Sequence, residues 1–171
     1  MKIPAAFFYA LAIFGLDIWS KNWVHENLRD HDLEVIPDFF KLSLVHNHGI
    51  AFGLFDYGSS HPIKSLILIS VALVALGAVI SYALKTPPSA RMTQIALGFL
   101  LGGILGNLVD RMLRSYVVDF LEFNFYLFKF PTFNLADAGI TIGIGLLLLQ
   151  TLRERNTPAE EEPRETAARG N

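Results

Sequence analysis

Four long apolar stretches separated by polar connectors set the plan of this chain. A helix needs about 20 consecutive, mostly apolar residues to cross a hydrocarbon core of roughly 30 Å. The first stretch covers about residues 3–24, with Asp17 and Lys21 toward its far end. The second, about 63–84, is almost pure Leu, Ile, Val and Ala after Lys64. The third, about 92–112, carries Gly98, Gly102, Gly103 and Gly106, and the fourth, about 132–152, has no charge after Asp137. The pattern predicts an all-α membrane protein with four transmembrane helices. The intervening loop, about 25–62, is long enough to fold. Its Phe40-Lys41-Leu42-Ser43-Leu44 alternates as a half-buried strand does, and Gly49, Gly53 and Gly58 mark turns, so a small extracytoplasmic β-containing subdomain is expected.

The first stretch is long for the apolar core of a cleavable signal peptide, and no small-x-small site follows it. It therefore reads as a retained helix, with Trp19 and Trp23 suited to an interfacial aromatic belt. Residues 1–155 read as one membrane domain. The segment 156–171, rich in Glu, Pro, Arg and Ala, reads as a disordered cytoplasmic tail. Four crossings put both termini on one side. Lys2, Lys85, Arg91, Arg153 and Arg155 crowd short flanks, whereas Arg29, Lys41, Arg114 and Lys129 are spread over longer loops, so the termini are expected in the cytoplasm.

At about 1.5 Å per residue, the polar residues of three helices fall at one depth. Asp17 and Lys21, then Asn107, Asp110 and Arg111, then Asn134 and Asp137, all lie near the outer ends, while the inner halves are uncharged. Asp17 and Lys21 are spaced i, i+4 and can pair. Gly103, Asn107, Asp110 and Arg111 follow one stripe, and Asn134 and Asp137 stand at i, i+3. Gly98, Gly102 and Gly106 repeat every four residues, as close helix packing in lipid requires. Charge inside a membrane helix is costly, by about 2.5–3.5 kcal/mol on insertion scales, so these groups should face a shared pocket. Asp17–Lys21 and Asp110–Arg111 can be purely structural pairs. Asp137 is harder to dismiss, because no basic residue follows it until Arg153.

Composition narrows the chemistry. A hydrophobic content of 52% and a mean hydropathy of +0.40 suit a membrane. A net charge of −2 without a long basic tract gives no nucleic-acid footprint. The absence of cysteine excludes disulfides and thiolate metal sites. His46 and His48 suggest a metal pair, but no third ligand is convincingly spaced, and neither metal nor organic cofactor is expected. An ion-coupled transporter would place polar groups at mid-membrane and show internal repeats. Neither is present.

Five segments occur in a recognisable order: Asp17-Ile18-Trp19-Ser20-Lys21; Asn47-His48-Gly49-Ile50-Ala51-Phe52-Gly53; Gly102-Gly103-Ile104-Leu105-Gly106-Asn107-Leu108-Val109-Asp110-Arg111; Val117-Val118-Asp119-Phe120; and Phe133-Asn134-Leu135-Ala136-Asp137. In these, over roughly residues 10–150, the chain resembles lipoprotein signal peptidase (signal peptidase II), the bacterial intramembrane aspartic peptidases. The resemblance implies a catalytic pair at Asp119 and Asp137, with support from Asp17, Lys21, Asn47, Gly49, Gly103, Asn107, Arg111 and Asn134. It implies a diacylglyceryl-modified prolipoprotein substrate cut before its lipidated cysteine, a place in the bacterial inner membrane, and sensitivity to globomycin-type inhibitors; a monomer is expected. Spacing alone favours Asp110 over Asp119 as the partner of Asp137. For Asp119 to serve, the chain beyond Arg111 must turn back toward the pocket, so Asp110 is kept as a supporting residue. The long outer loop is expected to close over the substrate.

Overall fold

The computed structural model describes residues 3–49 and 62–156. These form, in chain order, helix α1 (Ala5–Asn27), strands β1 (Leu33–Ile36) and β2 (Phe40–Asn47), helices α2 (Pro62–Lys85) and α3 (Arg91–Arg114), strands β3 (Val117–Phe125) and β4 (Phe128–Lys129), and helix α4 (Leu135–Asn156). The four helices lie within a few residues of the four apolar stretches. Three of them, α2, α3 and α4, are long and apolar enough to cross a membrane. The second half of α1 is diluted by Asp17, Lys21, Asn22, His25, Glu26 and Asn27. Residues 50–61 of the loop expected to close over the substrate, with Gly53 and Gly58, and the tail beyond Asn156 lie outside the described residues.

Helix α3 is the centre of the bundle. Its Leu97 and Leu101 are buried against Ala6 and Ala10 of α1 and Ala83 of α2, with Ile140 and Leu147 of α4 packed alongside. The outer surface is apolar too: Ile63, Leu66, Ile67, Val71 and Val74 of α2 are all more than half exposed. With lipid as solvent, apolar residues gain little by hiding, so contact between helices depends on close fit and polar pairing. Glycine supplies the fit. A Cβ at Gly102 would sit 2.7 Å from the Ala10 carbonyl oxygen and 2.7 Å from Ile13 Cβ, and one at Gly143 would sit 2.8 Å from the Ala96 carbonyl oxygen.

Gln94, which the sequence reading passed over, ties three elements together at the end of the bundle away from the sheet. Its Oε1 accepts the Ala6 amide of α1 at 3.0 Å, and its Nε2 donates to the Thr86 carbonyl at 2.9 Å. Ala6 lies in the first turn of α1, where backbone N–H groups have no partner within the helix, so a buried amide there needs such an acceptor.

The strands form one antiparallel sheet in the order β1-β2-β3-β4. The expected strand around Phe40–Leu44 is β2. The connection between α3 and α4 supplies β3 and β4, where no strand was assigned. Alternation is poor in β3 because Val117, Val118, Asp119 and Phe120 are buried in succession. Val118 and Phe120 join Val24 and Leu28 in a second apolar cluster that fastens the sheet to the end of α1. Phe133 then bridges back to Leu121, so the residues just before α4 run along the sheet. This is why α4 begins at Leu135 rather than near residue 132.

The packing makes a stability prediction. Gly102→Ala should lower stability by about 1–3 kcal/mol, because the Ala10 backbone cannot move aside cheaply. Gly77→Ala, where a Cβ meets nothing within 4 Å, should be neutral or stabilising by up to about 1 kcal/mol. Thermal unfolding in detergent micelles measures both, and equal melting points would contradict the packing role of Gly102.

Candidate active site

The site is built outward from a buried ammonium group. Lys21 of α1 is fully buried and has three acceptors around its Nζ. These are Asp17 at 2.7 Å, Asp110 at 3.1 Å and Asn107 Oδ1 at 3.0 Å. An ammonium carries three N–H donors, so each proton has a partner. Each carboxylate is held from a second side. Asp17 Oδ1 accepts the Ala136 amide in the first turn of α4 at 2.8 Å, where the helix dipole favours negative charge. Asp110 pairs with Arg114 at 3.3 Å and accepts the Val118 amide at 3.1 Å.

The bond to Val118 explains how the chain reverses. Helix α3 ends at Arg114, and Ser115 takes the left-handed conformation with φ 64°, its N–H returning to the Arg111 carbonyl. Strand β3 then starts beside the bundle, paired with β2 so that Val45 faces Asp119 and Asn47 faces Val117. Asp110 pins the second residue of β3, and Asp119 follows it into the pocket. The residue that spacing favours as the partner of Asp137 is thus taken up by Lys21, Arg114 and the β3 backbone.

Asp137 is positioned by the start of α4. Asn134 Oδ1 accepts the Asp137 amide at 2.9 Å, while Asp137 Oδ2 faces the Asn134 amide at 3.4 Å. This is the reciprocal arrangement of a capping box, with Asn134 as N-cap and Asp137 three residues on. The i, i+3 spacing of these two residues therefore marks a helix start rather than one face of a continuing helix.

Two asparagine side chains join the carboxyl groups. Asn134 Nδ2 donates to Asp119 Oδ1 at 2.6 Å and lies 3.2 Å from Asn107 Oδ1. Asn107 Nδ2 donates to Asp137 Oδ1 at 2.7 Å. A third amide reaches in from the sheet, with Asn47 Nδ2 donating to Asp119 Oδ2 at 2.8 Å. Asn47 Oδ1 in turn accepts the Gly49 amide at 2.7 Å. Arg111 holds that backbone from the other side, donating from Nη2 to the Gly49 carbonyl at 3.1 Å and from Nη1 to the Asn107 carbonyl at 3.3 Å.

Asp119 and Asp137 are 1% and 5% exposed. Burial, followed by the negative charge of Asp137, pushes the Asp119 carboxyl up to about 7, although the donors from Asn47 and Asn134 pull it down. Asp137 lies in the wall of two hollows. One, of about 220 Å³, runs between α2 and α3, with Leu68, Val71 and Ala75 on one side and Asn107 and Arg111 on the other. The second, of about 270 Å³, lies between α4 and Phe130 and Phe133.

Of the residues singled out from the sequence, Asp17, Lys21, Asn47, Asn107, Asp110, Arg111, Asp119, Asn134 and Asp137 belong to this one network, with Gly49 entering through its backbone. Gly103 stands apart. A Cβ there would strike the Ala136 carbonyl and Ile140, so its part is to let the start of α4 approach α3. His46 and His48 pack against Tyr116, with ring centroids at 4.2 and 5.6 Å. Glu122 escaped the sequence reading. It is buried and holds Lys129 at 2.8 Å and Ser43 at 3.1 Å, which cross-links β2, β3 and β4 away from the site. An acidic residue alternating with Leu121 and Phe123 was its only signal.

The family model described as Signal peptidase (SPase) II matches residues 9–153. A lipoprotein signal peptidase of Clostridium novyi (strain NT) is 36% identical over 148 residues, covering 84% of this chain and 96% of that protein. One of Moorella thermoacetica (strain ATCC 39073 / JCM 9320) is 36% identical over 157 residues, covering 91% and 95%. A bacterial membrane enzyme solved by the in meso method at 2.3 Å resolution has a similar fold, with TM-score 0.79 and 29% identity over 92% of this chain and 93% of that one.

The buried ammonium yields a further prediction. Lys21→Met removes the cation that touches both Asp17 and Asp110, leaving buried charge undercompensated, and should destabilise the protein by about 3–5 kcal/mol. Melting in detergent at neutral pH measures the loss. A melting temperature like that of the unaltered protein would contradict the central place given to this contact.

Proposed function

The chain belongs to the signal peptidase II family of lipoprotein signal peptidases, and on that premise we propose that it is an aspartic endopeptidase using Asp119 and Asp137 as its catalytic pair. The substrate in this reading is a diacylglyceryl-modified prolipoprotein, cut on the N-terminal side of its lipidated cysteine. The observation that carries the proposal is the linkage of the two buried carboxyl groups through Asn134 and Asn107, with no cation among the described residues in direct contact with either. A Lys or Arg paired to each would hold both ionised. Neutral amides orient the carboxyls and leave room for one shared proton. The raised titration of Asp119 fits that state at neutral pH.

The reaction follows from the protonation state. The ionised carboxylate takes a proton from water as the water oxygen bonds to the scissile carbonyl carbon. The protonated partner donates to the carbonyl oxygen and stabilises the charge developing there. Collapse of the tetrahedral intermediate delivers a proton to the amide nitrogen, the C–N bond breaks, and the signal peptide leaves with a new carboxyl group. The cysteine keeps a free amine. No covalent enzyme intermediate is required.

In the same reading all four helices cross the bacterial inner membrane, α1 included, with both termini cytoplasmic and the sheet outside. Trp19, 67% exposed, and Trp23, 38% exposed, near the sheet end of α1 suit the interfacial position. A diacylglyceryl group fixes the depth of the substrate, so an active site near one interface meets the scissile bond at a constant height. The apolar hollow along α2 opens at Asp137 and offers an approach from lipid. The enzyme acts as a monomer and is a target of globomycin-type inhibitors.

Two predictions test the chemistry. Asp119→Asn and Asp137→Asn should each lower processing of a lipidated precursor by about 10²–10⁴-fold, the contribution of a general acid–base group. Asp110→Asn should retain processing. The mass shift of the precursor reports cleavage, and a dead Asp110→Asn beside an active Asp119→Asn would reverse the assignment. The pH–rate profile supplies the second. Activity should fall as pH rises above about 7 and the shared proton is lost. Asn47→Ala removes a donor to the ionised form, so this alkaline limb should move to higher pH. A limb that stays in place would show that Asn47 does not act on Asp119.

A further inference from the structure

The hairpin joining β3 to β4 breaks the usual chemistry of a tight turn. Phe125 pairs with Phe128 across a two-residue loop made of Tyr126 and Leu127. Such loops favour Gly, Asn or Asp, because the turn types that match strand twist need positive φ. Neither residue here has positive φ, so this turn is not one of the favoured types. It is also apolar at the point of greatest exposure. Tyr126 is 103% exposed, Leu127 89% and Phe128 58%. The nearest charges along the chain, Glu122 and Lys129, pair with each other at 2.8 Å. Phe125 stacks on Phe128 at 5.0 Å and meets Phe39 edge-on at 5.6 Å, so the tip stands on a stiff aromatic rib. A local rule broken without a local gain points to a role outside the chain's own core.

The position of the hairpin says what covers it. Phe130 and Phe133 at its base share a hollow with Ala138, Thr141 and Ile142 of α4. Ile142 is seven residues into that helix, roughly 10 Å below its start at 1.5 Å per residue, and is 48% exposed. The aromatic base of the hairpin therefore overlaps the first two turns of α4 in height, and its apolar surface runs directly into the outer surface of that helix. Resting on the reading of these helices as membrane spans, we propose that the β3–β4 hairpin is an interfacial anchor whose tip, Tyr126 and Leu127, enters the headgroup–acyl boundary of the bilayer. The occupant of this surface is lipid. Aromatic and aliphatic side chains on a short uncharged tip suit that boundary, and the strand that carries the tip also carries Asp119.

The chain contains no cysteine, so a single nitroxide can be placed without background. Leu127→Cys, at an exposed position that makes little demand on folding, would be labelled in the full-length protein in phosphatidylethanolamine–phosphatidylglycerol liposomes. Val74→Cys, on the 75% exposed surface of α2, serves as the lipid reference. Power-saturation EPR should find the label at position 127 colliding more with oxygen than with a water-soluble nickel chelate, as at position 74. Nickel access at 127 approaching that of free label, with position 74 still oxygen-rich, would overturn the anchor and leave the membrane reading intact. Nickel access at both positions would remove the membrane reading and the anchor together. Shielding of position 127 from both reagents would overturn the anchor in favour of protein contact, and dipolar broadening would then identify the partner as a second copy.

Discussion

A single buried ammonium organises the site. Lys21 sits where α1, α3, α4 and β3 meet, and it reaches them through atoms that are each committed twice. Asp17 connects it to the first turn of α4, Asp110 to the second residue of β3, and Asn107 to Asp137. A charge enclosed this completely is tolerable only when every proton finds an acceptor. That requirement couples the elements, because moving any of them would leave a donor or a carboxylate unpaired in a medium that cannot solvate it. Of the two carboxyl groups given the chemistry, Asp137 stands one bond further out and Asp119 two, through Asn134, on the helix and the strand that this cluster holds in place.

The division of labour among polar residues follows from their charge. Lys21 and Arg114 pair with Asp17 and Asp110, whose carboxyl groups in turn accept backbone amides. Asp119 and Asp137 are met by Asn47, Asn107 and Asn134 instead. An amide side chain donates and accepts without net charge, so it can aim a carboxyl group without fixing it in the ionised form. Arg111 lies nearby but spends its hydrogen bonds on the carbonyls of Asn107 and Gly49. The same fold thus pairs two aspartates with cations and gives the other two, the proposed catalytic pair, neutral amide partners.

Around this centre the bundle obeys the economy of lipid. Apolar side chains cover its outside as well as its inside, and close approach replaces hydrophobic burial as the means of packing. Gly102 admits α1, Gly103 admits α4, Gly143 of α4 lets the Ala96 backbone of α3 approach, and Gly106 leaves space for the Asp17 carboxylate. The sheet is attached in another way, by Val118 and Phe120 against Val24 and Leu28. The strand bearing Asp119 is therefore held by apolar packing on its flanks and by hydrogen bonds at the site itself.

Much of this was legible in the chain. Helices are local, and lipid imposes a length and an apolar composition, so four stretches of hydrophobic sequence marked α1 to α4 to within a few residues. Helical rise placed Asp17, Lys21, Asn107, Asp110, Arg111, Asn134 and Asp137 in one layer, because depth along a helix depends only on residue count. Partners across the layer depend on how the chain returns, which residue count does not encode. Asp110 and Asp119 are both carboxylates near the end of α3. Only the left-handed turn at Ser115, the pairing of β3 with β2, and the bond from Val118 to Asp110 decide that the first is enclosed by cations while the second faces Asn134. The resemblance to a known family indicated Asp119, but tertiary structure supplied the reason. Strand β3 was hidden likewise, since it forms by pairing with β2, far away in the sequence, whereas the capping role of Asn134 rests on a local contact with Asp137, three residues on.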